Sequence, residues 1–263
     1  MKREARLVRR GEYAGDDRME KQRLDKIVSG QLNISRTDVK KMVSLGQVVV
    51  NGVPARSPAD KADPQQDEIV AGGVAISYKK HIYLMLNKPE GVVSATRDGK
   101  SKTVLDLVPQ SMWRKGLFPA GRLDKDTVGF VLITDDGELA HRMLAPKSHV
   151  PKTYHAVLDG GIGANEISAL EDGIDIGGGD VCGRARVRVL QEGENPTVEV
   201  IISEGMYHQI KRMFAAVGRR VLHLKRVKIG ALPLDERLPE GGCKEIINKD
   251  VEKLLTREIS EKS

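Results

Sequence analysis

The sequence predicts an α+β protein with two domains. A small helix–helix–hairpin domain is expected over residues 20–70, and a larger domain on a mixed, largely antiparallel sheet over residues 80–247. Three observations predict this fold. The 263 residues suffice for a small domain plus a medium one. Helical periodicity followed by a hairpin signal marks the first part of the chain. Short apolar runs separated by glycine and proline recur in the second part.

The first domain begins with apolar residues at helical spacing, which are Leu24, Ile27, Val28 and Leu32. Ser35 and Asp38 predict a capping box that opens a second helix, and Gly46 is suited to end it. The Asn-Gly pair at 51–52, which follows three valines, predicts a tight hairpin. Glycines and prolines come next, so we place the linker to the second domain near residues 68–80.

The second domain alternates strand-like and helix-like runs. The predicted strands are Ile82–Leu86, Phe130–Thr134, Tyr154–Leu158, Val181–Leu190 and Val198–Ile202. The predicted helices are Gly137–Leu144, Glu166–Asp172 and His208–Val217. Residues 1–19 are charged and without periodicity, which predicts a flexible basic tail. Residues 248–263 are predicted to be a charged C-terminal tail with a short helical segment.

Positive charge is concentrated rather than spread. The net charge is +6, yet residues 205–230 alone carry seven lysines and arginines and no acid. The first ten residues add five more cations against one glutamate. Such concentration indicates a polyanionic partner, most often nucleic acid. The alternative is an ordinary solvated basic surface. Aromatic residues make up 3% of the chain, so a wide aromatic platform for single-stranded bases is not expected.

Several classes of site are excluded by pattern. The two cysteines have no CxxC spacing, and the six histidines show no metal-binding spacing. Neither a phosphate-binding loop nor a nucleophile elbow is present. We therefore expect no metal and no cofactor. The chain has no run of about 18 apolar residues and no secretory signal, so we expect a cytoplasmic protein without membrane association. Nothing suggests an obligate dimer, and we expect a monomer.

A polar loop that runs directly into a buried strand, residues 121–130, is the conspicuous candidate for chemistry. Asp124 has Arg122 and Lys125 beside it, which favours the ionised carboxylate, and such a carboxylate can act as a nucleophile or base. Two other interpretations remain open from the residues alone. Asp124 and Asp126 are also good turn formers, and as a pair they could serve a two-carboxylate hydrolase.

This segment resembles the signature of the pseudouridine synthases, G-R-L-D-x-x-T-x-G, an apolar strand and T-x-D-G, in particular the branch acting on ribosomal RNA. Four further segments are similar to motifs of that family in the same order. They are Asn87–Gly91, Lys152–Tyr154, Glu204–Met213 and Leu224–Gly230. Residues 20–70 are similar to the alpha-L RNA-binding motif that usually precedes this catalytic domain. The resemblance covers roughly residues 20–247.

The resemblance implies an enzyme that converts a uridine in RNA to pseudouridine without a cofactor. Asp124 would be the nucleophile, and Tyr154 would stack on the flipped-out base. Lys211, where most members have arginine, would pair with Asp124 and keep its pKa low. Arg122 would contact RNA, and Gln209 and Arg212 would help to bind or position the substrate. Leu224 is either a pocket wall or a core residue.

The N-terminal domain would add affinity through contacts to phosphates. The residues expected to do so are Arg23, Ser35, Arg36, Lys40 and Lys41. Lys211 and the Tyr207-His208 pair favour a small-subunit (16S) rRNA enzyme, with rRNA in a small-subunit precursor as the partner. The alternatives are a 23S rRNA enzyme and a non-catalytic RNA-binding ribosome-assembly factor.

Overall fold

A computed structural model describes residues 20–145, 148 and 150–257. The predicted flexible tail at 1–19 lies outside the described residues. The chain divides between Lys79 and Lys80 into two compact units.

Over residues 20–79, the first unit contains two helices and six short strands. In chain order they are β1 (Gln22–Arg23), α1 (Leu24–Leu32), α2 (Arg36–Ser44), β2 (Val48–Val50), β3 (Val53–Pro54), β4 (Lys61–Ala62), β5 (Ile69–Ala71) and β6 (Val74–Ala75). Strands β3, β2, β5 and β6 form an antiparallel sheet in that order, and β1 pairs with β4. The two helices and this sheet share one apolar core.

Local signals predicted most of this unit. The Ser35 hydroxyl accepts the Asp38 amide proton at 3.1 Å, and Asp38 bonds back to Ser35, which confirms the capping box. The Asn-Gly pair at 51–52 joins β2 to β3 with both φ angles positive, as a tight hairpin requires. The boundary between the units falls inside the linker predicted at 68–80, but β5 and β6 occupy 69–75 as a hairpin whose turn is Gly72-Gly73.

The second unit is built on a nine-stranded sheet. Its strands are β7 (Tyr83–Lys88), β8 (Phe118–Ala120), β9 (Val128–Thr134), β10 (Lys152–Leu158), β11 (Arg186–Gln191), β12 (Thr197–Ile202), β13 (Val221–Ile229), β14 (Leu232–Pro233) and β15 (Cys243–Glu245). Its helices are α3 (Gly137–Leu144), α4 (Ala164–Asp172), α5 (Gln209–Ala216) and α6 (Asn248–Val251), with single 3₁₀ turns at Val104–Leu107 and Glu252–Leu255.

The strands lie in the order β11-β12-β10-β13-β9-β7-β15, with β14 beside β13 and β8 beside β9. In the described part of the chain every pairing of this sheet is antiparallel except that of β9 with β13. All seven residues of β9 are buried, and successive residues alternate between two apolar cores. Helices therefore cover both faces of the sheet centre, with α5 on one side and α3 on the other.

Two predictions for this unit need correction, and one long strand was not predicted. The strand predicted at Val181–Leu190 begins only at Arg186, because Asp175 and Val181 close a glycine-rich turn. The basic stretch of residues 205–230 contains β13, a nine-residue strand inside the sheet, which its charges concealed. A charged tail was predicted from residue 248 onward, but Leu254 is fully buried in the core beside α3, so the folded domain extends at least to that residue.

Strand β13 reaches β9 through a close backbone approach at Gly129. Gly129 has φ +101°, and a Cβ atom there would lie 2.3 Å from the Arg226 carbonyl oxygen. Only glycine fits such a position without displacing the neighbouring strand. The approach brings the side chain of Arg226 beneath the loop that precedes β9, which is the loop singled out from the sequence.

Candidate active site

The loop between β8 and β9 holds Asp124 by bonds on both sides of it. The Ser94 hydroxyl donates to the Leu123 carbonyl at 3.1 Å and accepts from the Leu123 amide at 3.0 Å. After Asp124, the Lys88 ammonium donates to the carbonyls of Lys125 and Thr127 at 3.2 and 2.8 Å. The carboxylate between these two anchors is 30% exposed. A rigid loop thus presents two acids at the edge of the sheet, Asp124 and the more exposed Asp126.

Lys88 is a charged side chain with no exposed surface. Its ammonium also donates to the Pro89 carbonyl at 3.0 Å, so all three protons of the charged form have an acceptor. Burial lowers the pKa of Lys88 to about 8, and the nearby carboxylates of Asp126 and Asp124 oppose that shift. The three bonds make Lys88 a bridge between the end of β7 and the Asp124 loop.

Asp124 opens into a cavity of about 570 Å³. Loops before β9, the turn before α5 and strand β10 all contribute to its wall. Of the residues that the sequence suggested for substrate binding or as a pocket wall, five line it, namely Arg122, Tyr154, Gln209, Lys211 and Leu224. The volume lies in the range of pockets that enclose a small ligand.

Lys211 makes its shorter ion pair with a different acid from the one expected. Its ammonium lies 2.5 Å from Asp126 Oδ1 and 3.7 Å from Asp124 Oδ2. The hydrogen bond from Lys211 lowers the pKa of Asp126, which is 62% exposed. The prediction of a pair with Asp124 therefore holds only as a longer contact within a shared cluster. His208 joins the cluster, with Nε2 3.5 Å from Asp124 Oδ1.

Tyr154 forms part of the cavity wall on β10 and is 8% exposed. The buried guanidinium of Arg226 lies 6.0 Å from its ring centre, and Nη1 lies 3.5 Å from the phenol oxygen. Arg226 also donates from Nε to the Phe130 carbonyl at 2.7 Å. A cation buried behind an aromatic ring fixes that ring and polarises its face. The sequence reasoning assigned Arg226 no role of its own, because its burial follows from the parallel pairing of β9 with β13.

Gln209 and Arg212 bind protein groups. Gln209 is buried, donates to Glu204 Oε1 at 2.6 Å and accepts the Met206 amide proton at 2.9 Å. Arg212 does not line the cavity; it bonds to the carbonyls of Ile176, Gly177 and Tyr207 and to the Asp180 carboxylate. Both residues hold the turn before α5 in place. This favours a role in positioning that turn over direct contact with the substrate.

The residues predicted to bind RNA in the first unit fall into two groups. Arg36, Lys40 and Lys41 lie exposed on α2. Arg23 and Ser35 already have partners, since Arg23 binds Asp25 through two nitrogens at 3.1 and 2.7 Å and Ser35 caps α2. The Arg23 hydrogen bond lowers the pKa of the buried Asp25.

Among residues 20–145, 148 and 150–257, no group of three or more histidine, cysteine or acidic side chains is placed to hold a metal ion. No helix in the same ranges is long and apolar enough to cross a bilayer.

Comparison with known proteins decides the family. The family model described as RNA pseudouridylate synthase matches residues 82–216, and the S4 domain model matches residues 22–69. The chain belongs to the RNA pseudouridylate synthase family. It is therefore an isomerase of the pseudouridine synthase type with an N-terminal RNA-binding S4 domain, as the motifs predicted.

Relatives align over nearly their whole length. An uncharacterised RNA pseudouridine synthase of Bacillus subtilis is 43% identical over 230 residues, covering 87% of this chain and 96% of the relative. Ribosomal small subunit pseudouridine synthase A of Escherichia coli K12 is 37% identical over 232 residues, covering 87% and 98%. A crystal structure of a pseudouridylate synthase matches with a TM-score of 0.62 and 35% identity, covering 89% of this synthase and 99% of that chain.

Three residues that hold the site in place were not identified from residue chemistry alone, namely Lys88, Ser94 and Arg226. Lys88 and Arg226 fall in segments quoted for the family resemblance, whereas Ser94 lies between motifs. The motif letters were thus the available signal for two of the three. Nothing local marks a serine as the partner of a loop 29 positions away.

Proposed function

We propose that this synthase isomerises a specific uridine of small-subunit (16S) ribosomal RNA, in a precursor of the small subunit, with Asp124 as the nucleophile. The observation that carries the chemistry is the 30% exposed Asp124 carboxylate, anchored on both sides and open to a cavity that Tyr154 also lines. The choice of 16S over 23S rRNA is supported by relatives named ribosomal small subunit pseudouridine synthase A at 37% and 38% identity.

The reaction begins with a uridine that must leave its base stack. A base inside folded RNA cannot reach the carboxylate, and flipping it out costs a few kcal/mol. The cavity would receive the nucleotide, and Tyr154 would stack on its uracil. Because Arg226 fixes the Tyr154 ring from behind, the ring needs no reorganisation when the base arrives.

Asp124 then serves as the nucleophile toward C1′ of the ribose, or otherwise assists breakage of the C1′–N1 bond. The released uracil rotates and forms a new bond from its C5 atom to C1′, which displaces the carboxylate. The proton that C5 loses is balanced by one gained at N1, so substrate and product have the same composition. Lys211 supports this step by keeping an ammonium 3.7 Å from the attacking carboxylate.

The S4 domain would supply affinity rather than chemistry. Arg36, Lys40 and Lys41 form an exposed basic set on α2 that suits phosphate contacts. Arg23 and Ser35 would contribute through the geometry that their existing partners impose. An rRNA substrate implies action in the cytoplasm, and we propose a monomer, which sedimentation of the purified protein would test.

The test compares Asp124→Asn with Asp126→Asn. Each purified protein is incubated with unmodified 16S and 23S rRNA transcripts, and pseudouridine is located by mass spectrometry. We expect product in 16S rRNA from the wild type and essentially none from Asp124→Asn. Asp126→Asn should retain activity within about tenfold, because its carboxylate is 62% exposed and Lys211 keeps Asp124 as a partner.

Each other outcome selects an alternative. Product confined to 23S rRNA would replace the 16S assignment. Equal yields from the wild type and Asp124→Asn would remove the nucleophile assignment. RNA binding without product on either transcript or on isolated precursor subunits would favour a non-catalytic assembly factor.

A further inference from the structure

Two stacked aromatic rings stand at the rim of the cavity. The rings of Tyr207 and His208 are parallel within 20°, with centres 3.8 Å apart. Both side chains line the cavity. Tyr207 is 76% exposed, more than any other large apolar side chain in the described ranges. An exposed aromatic ring beside a cavity offers a flat face on which a base can stack.

The turn that carries the two rings is held rigidly. His208 has φ +50°, a left-handed conformation that is strained for a residue other than glycine. The neighbouring backbone supplies the constraint. Arg212 donates to the Tyr207 carbonyl at 3.1 Å and is itself bound to Asp180 at 2.8 Å. Gln209 holds the Met206 amide at 2.9 Å. The exposed ring is therefore fixed at its backbone before any ligand arrives.

The position of the pair relative to Asp124 limits what it can bind. His208 Nε2 lies 3.5 Å from Asp124 Oδ1, so the His208 ring is next to the carboxylate and the Tyr207 ring follows it in the stack. When the ribose of the target uridine reaches Asp124, the nucleotides before and after it in the RNA lie at this rim of the cavity. The flip has also removed one stacking partner from the bases beside it. An aromatic face offers a replacement that every base accepts, since all bases have a π-face.

We propose that Tyr207 and His208 form a stacking platform for the base of the nucleotide next to the target uridine. The inference rests on the proposed function, because it takes the cavity as the uridine site. Tyr207 provides the exposed face, and His208 supports it from behind. The platform accommodates one base, in keeping with the low share of aromatic residues, 3% of the chain.

The test uses fluorescence of 2-aminopurine, which is quenched when the base stacks. The probe is a single-stranded RNA nonamer of uridines with one 2-aminopurine at its centre, so that uridines flank it on both sides. We expect quenching with the full-length wild type and equally with Asp124→Asn, since stacking requires no chemistry. Tyr207→Ala should abolish the quenching and weaken probe binding roughly 5- to 100-fold. Tyr207→Phe and Tyr207→Trp should restore both.

A matched control separates stacking from general damage. Trp113 is 37% exposed and lies outside the cavity lining, so Trp113→Ala should quench like the wild type. Circular dichroism checks that Tyr207→Ala folds. His208→Ala should give intermediate quenching, because it removes the support and leaves the exposed ring.

The outcomes distinguish the platform from the proposed function. Absent quenching with the wild type, or undiminished quenching with Tyr207→Ala, overturns the platform, even where the wild type forms pseudouridine in rRNA. Quenching that depends on Tyr207, together with no pseudouridine in rRNA, supports the platform and overturns the proposed function alone.

Discussion

In the S4 domain the cations Arg36, Lys40 and Lys41 lie exposed on one helix, whereas the cations that shape the Asp124 site are largely withdrawn from solvent. Lys88 has no exposed surface, and Arg226 is 4% exposed. An exposed cation acts on RNA through a field that salt screens, so each one contributes little. Buried Lys88 satisfies its donors within the protein and thereby positions the carbonyls that accept them.

The difference teaches where sensitivity to mutation should lie. One lysine on α2 is interchangeable with its neighbours, because phosphates tolerate small shifts of a charge. Lys88 cannot be exchanged in this way, because it bonds to one carbonyl just after β7 and to two carbonyls of the Asp124 loop. We therefore expect large effects from changes in the buried set and graded effects from changes in the exposed set.

The largest effect should come from Gly129→Ala, which removes the space that lets Arg226 be buried. The new Cβ would lie 2.3 Å from the Arg226 carbonyl oxygen in a backbone of φ +101°. Steric overlap and strain together should lower the free energy of unfolding by about 4 kcal/mol. Urea denaturation measures it. As a control, Gly137→Ala at the start of α3 meets nothing within 4 Å and should be neutral or slightly stabilising.

Lys88→Met comes next and tests whether a buried cation positions the catalytic loop. Three carbonyls would lose the Lys88 ammonium, and of these the Lys125 carbonyl keeps its bond from the Gly91 amide. The change should cost about 3 kcal/mol of stability and lower kcat at least tenfold. Lys152→Met is the matched control, because burial also lowers the pKa of Lys152 to about 8, yet its ammonium contacts the Ser203 carbonyl and none of the Asp124 loop. An unchanged kcat in Lys88→Met would break the comparison.

The pH dependence of stability gives Lys88 a second readout. Its pKa is about 8 in the folded protein against 10.5 as the reference value, so the unfolded chain holds more protons between these pH values. Lys88 therefore makes stability rise with pH from about 8 to 10.5, by at most about 1.4 kcal/mol per pH unit. Urea denaturation from pH 7 to 10 should show a shallower rise in Lys88→Met than in the wild type.

Local signals explain how much of this architecture the sequence could predict. The capping box at Ser35, the hairpin at 51–52 and the helix Gly137–Leu144 depend on neighbours within a few positions, and all three are present. Strand β13 was missed because its cations resemble a solvated surface, although pairing with β9 and β10 buries Arg226 and leaves Lys225 and Lys228 half-buried. The hairpin at 69–75 was mistaken for a linker, since paired glycines occur in both.

The candidate site also contains some features that the sequence could predict and others that it could not. Asp124 was found through motif letters, because residue chemistry alone left the turn-former and hydrolase interpretations open. The preference of Lys211 for Asp126 could not be predicted, as it depends on how a helix 85 positions later meets the loop. Long-range packing decides such contacts, and one sequence carries little record of it.

Lys211→Met probes a cation between the two extremes, with 24% of its side chain exposed. We expect kcat to fall about tenfold, because the variant leaves Asp124 without its ammonium neighbour. Lys211→Arg should recover most of the lost activity.

The same variant tests the ion pair with Asp126. Lys211 lowers the pKa of Asp126, so the ionised carboxylate stabilises the fold above about pH 4, and this stabilisation is lost as the pH falls. NMR titration should show the pKa of Asp126 rising in Lys211→Met. An unshifted Asp126 would contradict the pairing.

The smallest effects should come from Lys40→Gln and Lys41→Gln, which each remove one exposed charge from α2. Each should reduce the slope of log Kd against log salt concentration for rRNA by about 0.7 to 0.9, the value for one phosphate contact, and leave kcat unchanged. Filter binding across a salt series measures the slope. Lys249→Gln, on α6 of the second unit, is the matched control and should not alter it. If Lys40→Gln lowered kcat as far as Lys88→Met does, the S4 domain would act in the chemistry, and the contrast between exposed and buried cations would fail.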